Sequence, residues 1–225
     1  MTDYLVRQSI KPEGFWELFG RQFHHPHGRG GKIVGFLMGI INRLPNIHAI
    51  KLLNIKESED VLEIGCGPGR ALALMAKLSD QCRITGVDLS SVMYKQAARY
   101  NRKEIQSGRV KLFHCSFETL PLQDTSFDRI LAVNVLYFFG SNGGAFSELR
   151  RVLRPGGRIS FYVTAKTSLT NWNFDWSETH KAFDENELKI FLQSGAFAKD
   201  ILKIHHIQLP LGIKGMVAVI SKNAA

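Results

Sequence analysis

Residues 60–88 pack more folding information into a short span than any other part of the chain. Asp60-Val61-Leu62-Glu63-Ile64 reads as a short apolar strand, and Gly65-Cys66-Gly67-Pro68-Gly69 as a tight loop. Arg70 to Leu78 then reads as a helix with Leu72, Leu74, Met75 and Leu78 turned inward, and Arg83 to Val87 as a second strand closed by Asp88. Gly65 permits a sharp turn at the strand end, and Gly67 and Gly69 permit close approach of a ligand to the backbone. The N-terminus of the helix behind the loop favours negative charge. Asp88, at the tip of the neighbouring strand, is placed to accept hydrogen bonds from a ribose diol. The unit predicts a nucleoside with a charged tail lying across the strand tips of a parallel α/β sheet; a glycine turn without a ligand is the alternative.

Two nucleotide fingerprints fail on this loop. A dinucleotide loop places its third glycine where this chain has Arg70, a long side chain at a close helix–strand contact. A phosphate-binding loop ends in Gly-Lys-Ser/Thr, which is absent.

The strand–helix alternation continues downstream. Ser90 to Ile105 reads as a helix capped by Ser90, and Val110 to His114 as a third strand. Phe127 to Val135 is a nearly continuous apolar strand, as expected for a central strand covered on both faces. Gly143 to Leu153 is a helix stopped by Pro155-Gly156-Gly157, and Arg158 to Val163 is a fifth strand. Asp184 to Gln193 is a helix. Ile204 to Leu209 and Gly215 to Ile220 are two strands close enough to be antiparallel neighbours, which suggests one reversed strand at an edge. Before residue 57 the chain is irregular and partly helical. Lys32 to Asn42 is a candidate helix ended by Pro45, and Asn46 to Leu53 a second one capped by Asn46. The expected division is a lid over residues 1–56 and a nucleoside-binding domain over residues 57–225.

With 225 residues and 44% hydrophobic content, the chain suits one such domain plus a lid and excludes global disorder. Three scattered cysteines, Cys66, Cys82 and Cys115, have no zinc-site spacing and suggest reduced thiols in a cytoplasmic protein. No signal peptide is visible. The apolar stretch Ile33 to Ile41 is too short to span a membrane but leaves peripheral lipid contact open. The formal net charge is +9, with basic residues gathered at Arg99, Arg102, Lys103, Arg109 and Lys111 and at Arg150, Arg151, Arg154 and Arg158. That excess is either a solvated face or an attraction for an anionic partner.

Four ordered segments resemble the class I S-adenosylmethionine-dependent methyltransferases. Val61-Leu62-Glu63-Ile64-Gly65-Cys66-Gly67-Pro68-Gly69 is similar to their first motif, and Asp88-Leu89-Ser90 followed by Met93 and Ala97 to their second. Phe117 to Leu122 with Ser126-Phe127-Asp128 is similar to the entry into their fourth strand. Leu149 to Gly157 resembles the helix and turn before the fifth. The likeness covers about residues 57–165 and leans toward the branch that methylates small molecules, including quinone precursors, sterols and lipids.

The resemblance implies a Rossmann-like, doubly wound, seven-stranded and mostly parallel sheet with an antiparallel last strand and a helical N-terminal lid. It implies S-adenosylmethionine as cofactor and S-adenosylhomocysteine as product. Glu63 would orient the loop and the methionine-side amino group, and Gly65, Cys66 and Gly67 would line the methionine part. Asp88 would hold the ribose, with Leu89, Met93, Ser116 and Phe117 around the adenine. Asn134 and Val135 would face the methionine part or the acceptor. Relatives commonly carry Asp where this chain has Ser116, which offers a hydroxyl without charge.

Methyl transfer from a sulfonium is an in-line displacement that depends mainly on alignment and exclusion of water. A base is needed only where the acceptor must lose a proton. Tyr137, His25 and His180 are the candidates for positioning or proton removal, with His114 beside them, and a pocket wall is the favoured alternative for Tyr137. His25 belongs to His24-His25-Pro26-His27, where the lack of a nearby Cys and the sparse carboxylates favour a lid over a metal site. Trp172, Phe174 and Trp176, with Phe15, Trp16, Phe19 and Phe23, would roof a pocket for a flat or greasy substrate or simply pack lid to sheet.

A small-molecule acceptor with no stable nucleic-acid partner is therefore expected. An RNA or protein methyltransferase and a non-catalytic S-adenosylmethionine binder are the alternatives. The fourth strand ends in Asn134-Val135-Leu136-Tyr137 rather than the Asn-Pro-Pro-Tyr or Asp-Pro-Pro-Tyr of amino-directed nucleic-acid enzymes.

Overall fold

The computed structural model describes residues 42–140, 143–170 and 181–224. Among them seven strands form one sheet in the order β3-β2-β1-β4-β5-β7-β6. The strands are β1 (Asp60–Ile64), β2 (Arg83–Asp88), β3 (Val110–His114), β4 (Phe127–Val133), β5 (Leu153–Thr164), β6 (Ile201–Gln208) and β7 (Lys214–Ser221). The first five pair in parallel, with Ile64 opposite Val87 on one side and Ala132 on the other. β7 runs antiparallel to both β5 and β6.

The reversed last strand is as expected, but it does not lie at the edge: β7 inserts between β5 and β6. The reason is in the side chains. Gly215 to Ile220 is buried throughout, as a strand covered on both faces must be, whereas β6 carries Lys203, His205 and His206 and tolerates solvent.

Helices cover both faces. On one face α1 (Arg43–Leu53), α2 (Arg70–Leu78) and α3 (Ser91–Tyr100) enclose Leu53, Val61, Leu72, Met75, Ile84, Ala97 and Val217. A short α4 (Arg102–Gln106) follows α3. On the other face α5 (Gly144–Val152) and, after the short α6 (Lys166–Thr170), α7 (Glu185–Gln193) pack on Ile64, Ile130, Ile159 and Phe161. Phe146 of α5 centres that layer, with Phe139 and Phe191 each 5.2 Å away edge-on. No helix among the described residues is long and apolar enough to cross a membrane.

Three boundaries differ from the sequence reading. Pro45 does not end a helix; it sits in the first turn of α1, where its missing N–H has no intrahelical role, and Asn42 rather than Asn46 is the N-cap. The proposed helix at Lys32 to Asn42 otherwise lies outside the described residues. The expected helix from Ser90 to Ile105 is broken at Asn101, between α3 and α4. Asn101 is fully buried, and its Nδ2 donates to Gly69 O at 2.9 Å and Ala97 O at 3.0 Å. A buried amide tied to the glycine loop outweighs the helical continuity that periodicity predicts. Pro155-Gly156-Gly157 does not stop α5: the helix ends at Val152, the strand ladder begins at Leu153, and the three residues lie inside β5, where its register against β4 shifts.

α1 lies in the segment expected to form the lid, but it packs on the sheet itself. Ala49 and Leu53 are fully buried, and Ser160 Oγ donates to Ala49 O at 3.0 Å. Much of the basic excess is internally paired: Arg150 with Asp200, Arg151 with Glu148 and Asp124, and Arg154 with Asp60 and Asp128.

Candidate cofactor and acceptor cavity

The chain runs outward from β1 to β2 and β3, then returns to place β4 on the other side of β1. That reversal opens a crevice at the carboxyl ends of the strands, the usual ligand position in open α/β sheets. A cavity of about 690 Å³ lies there. The expected cofactor residues Glu63, Gly65, Cys66, Gly67, Asp88, Leu89, Met93, Ser116, Phe117, Asn134 and Val135 all line it. Asn42, Asn46, Arg70, Cys115 and Phe138 join them without being expected ligand contacts, and Glu118, a candidate to replace the Asp missing at Ser116, lines the cavity too. Cys115 and Glu118 flank Ser116-Phe117 at the tip of β3, and position alone would have found Cys115. Asn42 and Asn46 lie one helical turn apart but belong to a segment with no motif.

Backbone geometry shapes the loop. Gly65 has φ +62°, and a Cβ there would stand 2.6 Å from Val135 Cγ2, so the β1 and β4 tips meet only through glycine. Cys66 N–H extends the ladder to Val87 O at 3.0 Å. Asp88 ties the two sides of the crevice together. Its Oδ2 accepts from Gly67 N at 2.7 Å and its Oδ1 from Ser90 N at 2.8 Å. A carboxylate oxygen has a second lone pair, so both remain able to accept from a diol. Ser90 caps α3, its Oγ accepting from Met93 N at 3.4 Å.

Two buried carboxyl groups dominate the electrostatics of the inner cavity. Glu63 is 4% exposed, and its Oε2 has no hydrogen-bond partner. Burial pushes its carboxyl well above the ordinary range, and the neighbouring Asp88 pushes it further, against one backbone hydrogen bond at Leu72. Burial likewise raises Asp88, against the N–H donors of Ser90 and Gly67. The Cys66 thiol is pushed up by burial and by both acids, which keeps it protonated and inert.

A testable pH dependence follows. The folded protein holds the Glu63 proton to higher pH than the unfolded chain, so ligand-free stability falls as pH rises above the ordinary carboxylate range. Glu63→Gln removes that loss. We expect the variant to melt several degrees above the wild type at about pH 8, and the two to converge as the pH falls to about 3, below the ordinary carboxyl pKa, where Glu63 is neutral in both states. Thermal melts without ligand at the two pH values check it. A gap that does not change with pH refutes it.

The candidate catalytic residues fare differently. Tyr137 does not line the cavity. It is buried in the 3-10 turn Leu136–Phe138; its hydroxyl accepts from Thr164 N at 2.6 Å and donates to Asn134 Oδ1 at 3.1 Å. Burial raises its pKa strongly. Tyr137 is therefore placed to position Asn134, not to deprotonate an acceptor, and Phe138 faces the cavity in its stead. His114 Nε2 pairs with Leu89 O at 2.8 Å, away from the cavity wall. His25 and His180 lie outside the described residues, as do His24, His27 and the aromatic residues 15–23 and 172–176. Ser116 Oγ accepts from Glu118 N at 3.1 Å, so the hydroxyl already closes a turn.

S-adenosylmethionine fits these features. Its diol matches Asp88, and its cationic amino-acid end matches a buried acid whose oxygen lacks a partner.

Comparison with known proteins agrees. Residues 62–161 match the family described as a methyltransferase domain. The chain is 31% identical over 128 residues to the uncharacterized methyltransferase YdaC of Bacillus subtilis (strain 168), covering 57% of this chain and 68% of YdaC. It is 28% identical over 154 residues to sterol 24-C-methyltransferase ERG6B of Gibberella zeae, covering 68% of this chain and 38% of that enzyme. The match thus spans little more than a third of the sterol enzyme's length. In fold it is similar to the methyltransferase solved with the Haloferax volcanii Trm112 methyltransferase activator, with TM-score 0.71 and 17% identity over 84% of this chain and 93% of that one. The chain belongs to the methyltransferase-domain family and has the fold of the class I S-adenosylmethionine-dependent methyltransferases.

Proposed function

We propose that the protein transfers a methyl group from S-adenosylmethionine to a small, predominantly apolar or aromatic acceptor. The observation that carries this reading is the cavity wall. Phe117, Val133, Val135 and Phe138 gather at the β3 and β4 tips and give the cavity an apolar stretch of wall beside the ionisable Glu63, Arg70, Asp88 and Glu118. The bound cofactor supplies a methyl group already activated by its positive sulfur. What remains for this chain is to hold the acceptor in line with that methyl and to exclude water, which apolar walls do. The sterol enzyme among the relatives points to the same acceptor class. The internal pairing of Arg150, Arg151 and Arg154 weighs against a nucleic-acid acceptor, because those charges are already neutralised.

Incubation with methyl-labelled S-adenosylmethionine tests this. The panel would hold sterols, quinols and fatty acids on one side and tRNA and peptides on the other. We expect label in the organic-solvent extract. Label confined to RNA or protein, or none from protein that binds the cofactor calorimetrically, overturns the reading.

A further inference from the structure

A chain of hydrogen bonds runs from the end of β5 into the cavity and has a fixed direction. It starts at a backbone N–H, which can only donate: Thr164 N donates to Tyr137 Oη at 2.6 Å. With its oxygen so engaged, Tyr137 directs its own proton to Asn134 Oδ1, 3.1 Å away, rather than to the farther Thr164 O at 3.4 Å. Thr164 Oγ1 approaches the same Asn134 oxygen at 3.4 Å, a second hydroxyl that can donate to it. The oxygen of Asn134 therefore faces β5, and its Nδ2 faces α1, donating to Asn42 Oδ1 at 2.9 Å. Asn42, its oxygen taken, is left with both N–H bonds of its Nδ2 to offer. Among the described residues nothing accepts them.

Three further observations make this more than a packing detail. Asn134 sits at φ +54°, a left-handed conformation that a non-glycine residue adopts at some cost. Asn42, Asn46 and Asn134 all line the cavity. Asn46 is 5% exposed, and among the described residues no hydrogen bond engages its carboxamide.

The geometry points to a ligand-oxygen subsite in which Asn42, held in one orientation by the Thr164–Tyr137–Asn134 relay and flanked by Asn46, donates to a carboxylate or carbonyl oxygen. A ligand group that only donates, such as an ammonium, has no place at Asn42 Nδ2. Two sources carry such an oxygen: the α-carboxylate of the cofactor, and a carbonyl on the acceptor. Tyr137 and Asn134 are positioning residues, and Asn42 is the group that touches the ligand. The inference rests on the reading of this cavity as the methyl-transfer site.

Two matched pairs of probes separate the sources. The first is S-adenosylhomocysteine against 5′-methylthioadenosine, which keeps the nucleoside and thioether but lacks the amino-acid end, ammonium and carboxylate alike, so only the part of the preference that Asn42→Leu removes reports on the carboxylate. The second, in protein saturated with S-adenosylhomocysteine, is 2-decalone against decalin, bicyclic probes that differ by one carbonyl oxygen. We expect the wild type to favour the oxygen-bearing member of at least one pair and Asn42→Leu to reduce that preference about tenfold, the size of a hydrogen bond to a charged or desolvated oxygen. Loss in the first pair assigns the oxygen to the cofactor, and loss in the second to the acceptor. Tyr137→Phe keeps the ring, removes the proton donor, and should lower the same preference about threefold; an unchanged preference there removes the relay. Intact preferences in Asn42→Leu, or equal weakening of both members of a pair, overturn the subsite. A wild type that binds neither nucleoside overturns the methyl-transfer reading and the subsite with it, an outcome distinct from the others.

Discussion

Asp88→Ala is expected to weaken S-adenosylhomocysteine binding by at least about a hundredfold, measured by titration calorimetry. Two hydrogen bonds from a ribose diol to a carboxylate are each worth about 1.5–3 kcal/mol, and every 1.4 kcal/mol is tenfold. The substitution also releases Gly67 N–H and Ser90 N–H, which Asp88 holds at 2.7 and 2.8 Å, so the loop before α2 and the turn before α3 both lose their anchor. Asp88→Asn keeps one acceptor oxygen and should fall between the two, at about a tenfold loss. Binding of the alanine variant within threefold of the wild type would show that the diol is held elsewhere.

Gly69→Ala is expected to cost about 3–5 kcal/mol of stability and to lower Tm by about 10 °C, read by thermal or denaturant unfolding of the ligand-free protein. Gly69 has φ +78°, where a side chain is strained. An added Cβ would strike Asn101 Nδ2 and stand 3.0 Å from the Ala97 Cα. The amide can move only by giving up its bonds to Gly69 O and Ala97 O, and the helical backbone of α3 cannot move without shifting Met93 in the cavity wall. Asn101→Ala should fall in the same direction by a smaller amount, because it removes the amide without forcing the backbone apart. A Gly69→Ala variant as stable as the wild type would mean that the loop and α3 are not coupled.

Coupling of this kind separates what sequence shows from what it hides. The β1 strand, the glycine loop, α2 and Asp88 were legible because each is a local signal: an apolar run, a turn residue, a helical period, an acid at a strand tip. The cavity residues Ser116, Phe117, Asn134 and Val135 are expected from the family resemblance, and their place at strand ends agrees with it, since a parallel sheet puts every such end on one side. The contribution of Asn101 was not. Nothing in a lone asparagine within a helical pattern reveals that its amide will be buried against a loop 32 residues earlier. Tyr137 departs from the expected pocket wall or base for a related reason. Its neighbourhood was right, but a 3-10 turn rotates it inward onto Thr164 and presents Phe138 to the cavity instead.

The fold class, the glycine loop and its acidic partner are legible in the order of residues alone, because these rest on contacts between residues close in the chain or on the shared geometry of strand ends. Three other features emerge only in the folded molecule: β7 lies inside the sheet, α1 belongs to the core, and the carboxamides of Asn42 and Asn134 meet across 92 residues of chain. Each depends on which buried surfaces and which donors and acceptors find one another once the sheet has formed. That choice is made by burial and hydrogen-bond satisfaction over the whole molecule, which no local pattern records.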